Sequence, residues 1–313
     1  MGLALVDNWI LMALLATAAW ALASVLDVCL IGNGVYRRPL DGPLVAGLFC
    51  LLPALLAVGA LQVEFVTLRL VTVSALSAGA FLLHVYCHFK ALFSQNDGVN
   101  AEIFNTLGMV VVPILAFVLL RERLAATSYI SFVVAAAGIW LLIKGQARRM
   151  PARAVGFLIA SVSCFSLMMV MQAWALRWAP YATVVFLFTT SVFLLAGLLL
   201  VVRHQHQARV LRLCRRFGPA FVGLQLLEIG AVVSSQRAIA TGPSVSLVAL
   251  VECTLPLFVL AICWVLGVTT RRTTGADGSS LQSTLALQIE VAPSKVLSLL
   301  VIAGGVSIAL LPT

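Results

Sequence analysis

Long uninterrupted runs of apolar residues, separated by short polar segments, make up almost the whole chain. A hydrocarbon core of about 30 Å requires roughly 20 apolar residues per helical crossing, and ten stretches qualify. Strands of a membrane barrel would alternate with period two over about ten residues, whereas these runs are continuous and about twice as long. Because backbone polar groups in lipid must be hydrogen-bonded internally, the runs are predicted to be helices. The predicted spans are residues 9–31, 43–62, 70–92, 101–120, 126–143, 154–176, 181–202, 218–239, 245–268 and 295–311.

The order of polar and small residues along the chain repeats. The segment after residue 237 follows the segment after residue 90 at an offset of 147, which pairs Asn105 with Glu252. The last span follows the fifth at an offset of 166, which pairs Gly138 with Gly304. An odd number of spans per repeat gives the two copies opposite orientations. We therefore predict an all-α integral membrane protein with ten transmembrane helices in two inverted five-helix repeats, residues 1–145 and 154–313, with an insertion at about 273–291.

Composition agrees with a lipid environment. The chain is 62% hydrophobic and 10% charged, with a mean hydropathy of +1.10, whereas soluble domains are about 45–50% apolar and about 25% charged. The net charge of +9 could suggest nucleic-acid binding, but the basic residues lie in short loops between spans, so no nucleic-acid partner is expected. Odd-numbered loops hold fifteen of the 20 Lys and Arg residues, which favours odd loops in the cytoplasm and both termini outside.

The ends of the chain and its cysteines add little chemistry. No Lys or Arg precedes the first apolar run, so that run is predicted to be a retained helix rather than a cleaved signal peptide. None of the seven cysteines forms a CxxC pair, and six lie in spans. They are interpreted as apolar packing residues, with no disulfide framework, metal site or cofactor implied.

Two glutamates in predicted spans are the sharpest chemical signal. An ionisable group inside the bilayer costs roughly 2.5 kcal/mol or more, so it normally faces the bundle interior and marks a pathway. Glu252 lies near the middle of the ninth span as the repeat mate of Asn105, and Glu228 shares a stripe of the eighth with Gln225. Pro256 frees the carbonyl of Glu252, which brings two acceptors to one level of the membrane. For both glutamates, a protonated structural carboxyl is the alternative.

Other polar residues in the spans are weaker candidates. In the first span Trp20 and Asp27 share a stripe, but Trp20 is more simply a packing residue and Asp27, near the span end, an interfacial carboxylate. His84 and His88 share one face of the third span. Because no acidic third ligand lies in that span, capping or interfacial hydrogen bonding is favoured over a metal site. Gln172 is the only amide of the sixth span.

Seven short segments carry a resemblance to a known family. The segments are FKAL at 89–92, NTLGM at 105–109, FVLLRERL at 117–124, AAAGI at 135–139, RAI at 237–239, CTLPLFVLA at 253–261 and IAGG at 302–305. With these segments the chain resembles EamA-type ten-span transporters of the drug/metabolite transporter superfamily over essentially all its 313 residues. Three departures stand out: Met109 replaces a frequent proline, which gives less reason to expect a break in the fourth helix, Arg121 replaces the usual glycine before Glu-Arg-Leu, and the second copy lacks that ending. The family is generally drawn with both termini in the cytosol; we prefer this orientation but leave the conflict with the charge count open.

The resemblance and the repeat imply a secondary transporter or exporter of a small polar or amphipathic metabolite that works by alternating access in the plasma (inner) membrane. Because no nucleotide site is evident, coupling to a proton or a counter-substrate is expected. A cavity lined by spans 1, 3, 4, 6, 8 and 9 would hold Trp20, His84, Asn105, Gln172, Gln225, Glu228 and Glu252.

Two other classes of protein compete with a transporter. A non-transporting membrane scaffold gives no reason for acidic residues at mid-membrane. An intramembrane enzyme needs a clustered motif at a membrane face, which the two histidines of the third span do not supply. Beyond the lipid bilayer and a small-molecule substrate, the sequence identifies no partner, and monomer or homodimer stays open.

Overall fold

The chain is helical throughout the part that a computed structural model describes, which comprises residues 8–60, 63, 66–95, 98–147, 150–273 and 293–309. No strand occurs in these ranges. Eight helical stretches in them are long and apolar enough to cross a membrane, and two shorter ones, Asp41–Leu55 and Ser298–Ala309, are also apolar. The predicted all-α, multi-span membrane class is therefore confirmed. The predicted insertion lies, apart from residue 273, outside the described residues.

The helices lie within or near the predicted spans, but the predicted second, fourth and ninth spans are each divided into two helices. The first part of the chain forms α1 (Trp9–Gly32), α2 (Asp41–Phe49), α3 (Leu51–Ala60), α4 (Leu68–Gln95), α5 (Gly98–Asn105), α6 (Gly108–Leu115), which runs into a π-helical turn (Ala116–Leu120), and α7 (Ala126–Ala147). The second part forms α8 (Ala152–Leu176), α9 (Tyr181–Val202), a 3₁₀ turn (His204–His206), α10 (Gln207–Thr241), α11 (Val245–Glu252), α12 (Leu255–Thr273) and α13 (Pro293–Ala309).

Local signals in the sequence explain several helix ends. The Asn8 side chain accepts hydrogen bonds from the backbone N–H groups of Ile10 and Leu11 at 3.1 and 3.2 Å, which caps α1. The Ser244 hydroxyl accepts from the backbone N–H of residue 247 at 3.0 Å and caps α11 in the same way. Gly34, with φ of +67°, reverses the chain after α1, where a side chain would be strained.

Extensive packing joins helices that are far apart in sequence. Helix α4 packs along α8, α1 along α10, α7 along α13, and α9 against α2 and α3. Helices α7 and α13 approach each other closely. A Cβ atom added to Gly138 would lie 2.9 Å from the carbonyl oxygen of Ser298, and one added to Gly305 would lie 2.9 Å from the carbonyl oxygen of Ser131. Glycine at both places lets the two backbones meet, as is typical of helix pairs in membranes.

One end of the bundle is held by a buried ion pair. The carboxylate of Asp41, which is fully buried, accepts hydrogen bonds from the Arg209 guanidinium and from the backbone N–H groups of Arg37 and Arg38, each at 2.9 Å. Tyr36 lies beside it and stacks on Phe221, with ring centroids 5.7 Å apart. The loop after α1 and the start of α10 therefore meet at this end.

The opposite end is held by cations near aromatic rings and by two hydrogen bonds. The Arg69 guanidinium lies 3.6 Å from the ring centroid of Trp178, a cation–π contact between the start of α4 and the segment after α8. Arg177 donates to the carbonyl oxygen of Leu120 at 3.1 Å. The backbone N–H of residue 246 donates to the Glu122 carboxylate at 3.3 Å, so the starts of α7 and α11 lie at the same end.

Candidate functional site

A cavity of about 130 Å³ lies at the centre of the helices. Helices α1, α4, α8 and α10 form its walls, and two interruptions between short helices, α5–α6 and α11–α12, complete it. Its polar and titratable lining residues are Ser24, Asp27, His84, His88, Asn105, Thr106, Glu228, Glu252 and Cys253. Its apolar lining residues include Trp20, Phe81, Phe89, Phe165 and Met169.

Both interruptions occur at corresponding positions of the predicted repeat. Helix α5 ends at Asn105 and α11 ends at Glu252, and in each case a two-residue turn follows before the next helix begins. Side chains bond the carbonyls near these helix ends: the Thr106 hydroxyl donates to the carbonyl of residue 103 at 2.5 Å, and the Thr254 hydroxyl to that of residue 251 at 2.8 Å. The fourth span is therefore broken although Met109 stands where the family often has proline, because the turn does not depend on proline.

Glu252 is a buried acidic group of the cavity lining. Its residue is 7% exposed, and its Oε1 accepts a hydrogen bond from the Ser235 hydroxyl of α10 at 2.7 Å. Its Oε2 is buried and has no hydrogen-bond partner among the described residues. A buried carboxylate oxygen without a partner is costly, so a donor that reached this oxygen from the cavity would stabilise it.

Two further carboxyl groups border the cavity. Glu228 of α10 lines it and is hydrogen-bonded to the side chain of Gln225, one turn earlier on the same helix. Asp27 of α1 lines it as well and is only 8% exposed. The interpretation of Asp27 as a solvated interfacial carboxylate is therefore wrong, because its side chain is buried. The loop after α1 turns back on the helix end, where the backbone N–H groups of residues 35 and 36 donate to the carbonyl of Leu30.

Aromatic rings form the wall between α1, α4 and α8. Trp20 meets Phe165 edge-on, with centroids 5.4 Å apart, and His84 lies 5.0 Å from the same phenyl ring. The Nδ1 atom of His84 lies 2.9 Å from the Ser161 hydroxyl oxygen and 3.0 Å from the Ser161 carbonyl oxygen, which ties α4 to α8. The imidazole ring is thus held in place at the wall, with Nδ1 turned towards α8.

Tyr36 covers the cavity at the end that carries the Asp41 ion pair. The ring is 2% exposed and meets Phe89, a lining residue, edge-on at 5.3 Å. Burial raises the pKa of the Tyr36 hydroxyl well above its usual value, and the neighbouring carboxylates of Asp27 and Glu228 add to this shift. Tyr36 therefore stays neutral near these two acidic groups.

Five of the seven candidate residues lie together in this lining: Trp20, His84, Asn105, Glu228 and Glu252. Gln225 is buried behind Glu228, and Gln172 is buried in α8 outside the lining, so neither amide reaches the cavity. The set of cavity residues predicted from the sequence did not include Ser24, Asp27, His88, Phe165 and Cys253. The stripe shared by Trp20, Ser24 and Asp27 would have identified two of them. Within the described residues, no group of three or more His, Cys, Asp and Glu side chains could hold a metal ion.

Comparison with known proteins identifies a shared fold. No family model matches the sequence, and no curated protein matches it. Solved structures with a similar fold exist; one of them, described only as "Crystal structure of protein", superposes with a TM-score of 0.61 and 16% sequence identity. The match covers 96% of this chain and 98% of that one. At this identity the likeness extends to the fold alone.

Proposed function

We propose that the protein is a secondary transporter or exporter of a small polar or amphipathic metabolite, of the EamA type, that works by alternating access. The observation that carries this proposal is the pair of interrupted helices at the central cavity, one ending at Asn105 and the other at Glu252. Interrupted helices near the membrane midplane supply free backbone groups and charged side chains to a substrate, and they are typical of transporters built from repeats. The proposal also includes coupling to a proton or a counter-substrate and a location in the plasma (inner) membrane.

The packing of the helices supports ten spans in two inverted repeats. If the first part of the chain is exchanged for the second, α1 corresponds to α8, α4 to α10, α5 to α11, α6 to α12 and α7 to α13. The contact of α4 with α8 then becomes that of α10 with α1, and the contact of α11 with α6 becomes that of α5 with α12. Each of these contacts is present, which is expected of two copies related by a two-fold axis.

The contact of α7 with α13 supports the same relation and refines its register. Gly138 approaches Ser298 and Ile302, while Gly305 approaches Ser131 and Ala135. These contacts map onto each other at an offset of 167, one residue more than the alignment of the two spans predicts. The residue of the second copy that corresponds to Gly138 is thus Gly305, because both glycines pack closely against the facing helix. A Cβ atom on Gly304 would meet no atom within 4 Å.

Accessibility of Cys253 tests alternating access without knowledge of the substrate. This native thiol lines the cavity, so a variant that keeps it and replaces the other six cysteines by alanine carries one reporter. We expect a membrane-impermeant thiol reagent to modify Cys253 from either side of a liposome, while a dye trapped inside does not leak. A variant that keeps only Cys50, which is buried outside the lining, is the matched control and should resist modification.

A membrane scaffold and a channel would each give a different result in this assay. A scaffold would leave Cys253 protected or open to one side only. A channel would give modification from both sides together with leakage of the dye. Either result would refute alternating access.

A further inference from the structure

We infer that the cavity selects a small organic cation whose body is a single aromatic ring or an apolar group of similar size. This inference rests on the proposed transport function for its biological meaning and on the cavity itself for its chemistry. Neither the composition nor the repeat of the sequence indicates the charge of the substrate. The structure does, because it brings charged groups from separate helices to one place.

The charge of the lining is one-sided. Carboxyl groups reach the cavity from three helices, Asp27 from α1, Glu228 from α10 and Glu252 from α11, and its described lining contains no Lys or Arg. Ionised carboxyl groups that line one cavity of low dielectric constant repel one another, and a bound cation relieves this repulsion. His84 and His88 are the other titratable side chains that face the carboxyl groups from α4. An anionic ligand would find no fixed positive charge among these groups.

Glu252 supplies an independent sign of a missing ligand. One carboxylate oxygen is held by Ser235, but the other is buried without a hydrogen-bond partner, in a residue that is 93% buried and lines the cavity. An ammonium or guanidinium group carries N–H donors that could bond this oxygen directly. A neutral donor could bond it as well but would leave the negative charge uncompensated.

Aromatic rings supply an apolar part of the same lining. The rings of Trp20, Phe81 and Phe165 line the cavity, and such rings suit a cation–π contact or stacking. A cavity of about 150 Å³ holds one benzene molecule, so a cavity of about 130 Å³ accepts about one ring. The combination of carboxyl groups and aromatic rings fits a one-ring amine in its protonated, N–H-donating form.

Three probes that share a ring and differ in charge test this inference. The purified full-length protein in detergent is titrated with 2-phenylethylammonium, 2-phenylethanol and phenylacetate, and binding is measured by calorimetry. We expect the ammonium ion to bind at least about tenfold more tightly than the alcohol, with weaker or no binding of phenylacetate. Equal or tighter binding of either other probe, or no binding of the ammonium ion at millimolar concentration, would overturn the inference.

Variants assign the effect to the cavity. Glu252→Gln and Asp27→Asn should each weaken binding of the ammonium ion about tenfold or more and leave binding of the alcohol almost unchanged. Glu122→Gln is the matched control, because this carboxylate lies at a helix end outside the lining, where it accepts a hydrogen bond from the backbone N–H of residue 246. If Glu122→Gln weakens binding as much as Glu252→Gln, the cavity is not the cation site. Selectivity among the three probes is measured in the unchanged protein. The inference can therefore be tested even if a variant folds poorly.

Counterflow in liposomes separates this inference from the proposed function. Phenylguanidinium keeps its charge at neutral pH and carries N–H donors, and its exchange across the membrane is followed beside that of phenylacetate. If the protein binds phenylguanidinium without exchanging it, the transport proposal fails and the cation site stands. If it exchanges phenylacetate but not phenylguanidinium, transport stands and selection of a cation fails.

Discussion

Replacement of Gly305 by alanine should destabilise the protein, while replacement of its neighbour Gly304 should not. A Cβ atom on Gly305 would lie 2.9 Å from the backbone nitrogen of Ala135 and 2.9 Å from the carbonyl oxygen of Ser131. Non-bonded atoms prefer about 3.5–4.0 Å, so α7 and α13 must separate by roughly 0.5 Å or more. The obstructing atoms belong to the backbone and cannot rotate away.

The cost follows from the contacts that such a separation weakens. A gap of about 0.5–1 Å forfeits a quarter to a half of each van der Waals contact along the interface, and overpacking of this kind costs roughly 1–3 kcal/mol. Thermal unfolding of the purified protein should then shift down by about 2–6 °C for Gly305→Ala. Gly138→Ala should behave similarly, because its Cβ would lie 2.9 Å from the carbonyl oxygen of Ser298. Gly304→Ala is the matched control, since open space surrounds that position.

The double variant provides the sharper test. Both alanines push the same two helices apart, so the second should cost less than the first, and the two effects should not add. Additive losses for Gly138→Ala and Gly305→Ala would show that the glycines do not share one interface. A loss for Gly304→Ala equal to that for Gly305→Ala would refute the register of α7 on α13.

Three further predictions concern the ion pair, the cavity and the two ends of the bundle. Asp41→Ala should lower the free energy of unfolding by about 3 kcal/mol or more in chemical denaturation, because it leaves three donors without their acceptor; Arg212→Ala, at an exposed guanidinium, should have little effect. Glu252→Gln should keep the fold and abolish the pH dependence of substrate flux in liposomes, because it removes the titrating carboxyl group. An unchanged rate and pH dependence would show that Glu252 is structural and would make Glu228 the next candidate for the proton-coupling group. Cysteines introduced at residues 153 and 212 should be labelled from the same side of the membrane, because an even number of predicted spans separates them; labelling from opposite sides would contradict ten spans.

The spans could be predicted because lipid leaves few alternatives. A run of about 20 apolar residues has to be helical, so the pattern alone locates the helices. The break after Asn105 was harder to predict, because the sequence shows no proline there and the turn depends on short-range bonds of Thr106. Its position is evident only in the structure, where the helix ends at Asn105.

The cavity could be predicted in part, and the failures have a common cause. Mid-span position identified Glu228 and Glu252 because a carboxyl group in lipid must face the interior. The same reasoning assigned Gln172 and Gln225 to the cavity, although an amide can be buried against a neighbouring helix or bond a carboxyl group on its own helix. Asp27 was judged from its distance to the span end, which does not reveal that Tyr36 and its loop cover that end. Side-chain direction and loop cover depend on tertiary contacts.

The packing of α1 on α10 and of α4 on α8 gives the short segment between residues 145 and 154 an unexpected role. The first part of the chain presents α1 and α4 to the second part, which presents α10 and α8 in return. Neither part can therefore bury these surfaces by itself. The segment therefore joins two pieces that are interlocked, not two units that fold separately. A chain cut there and produced as two polypeptides would behave as an obligate heterodimer, because each polypeptide would bury its apolar helices only by packing against the other.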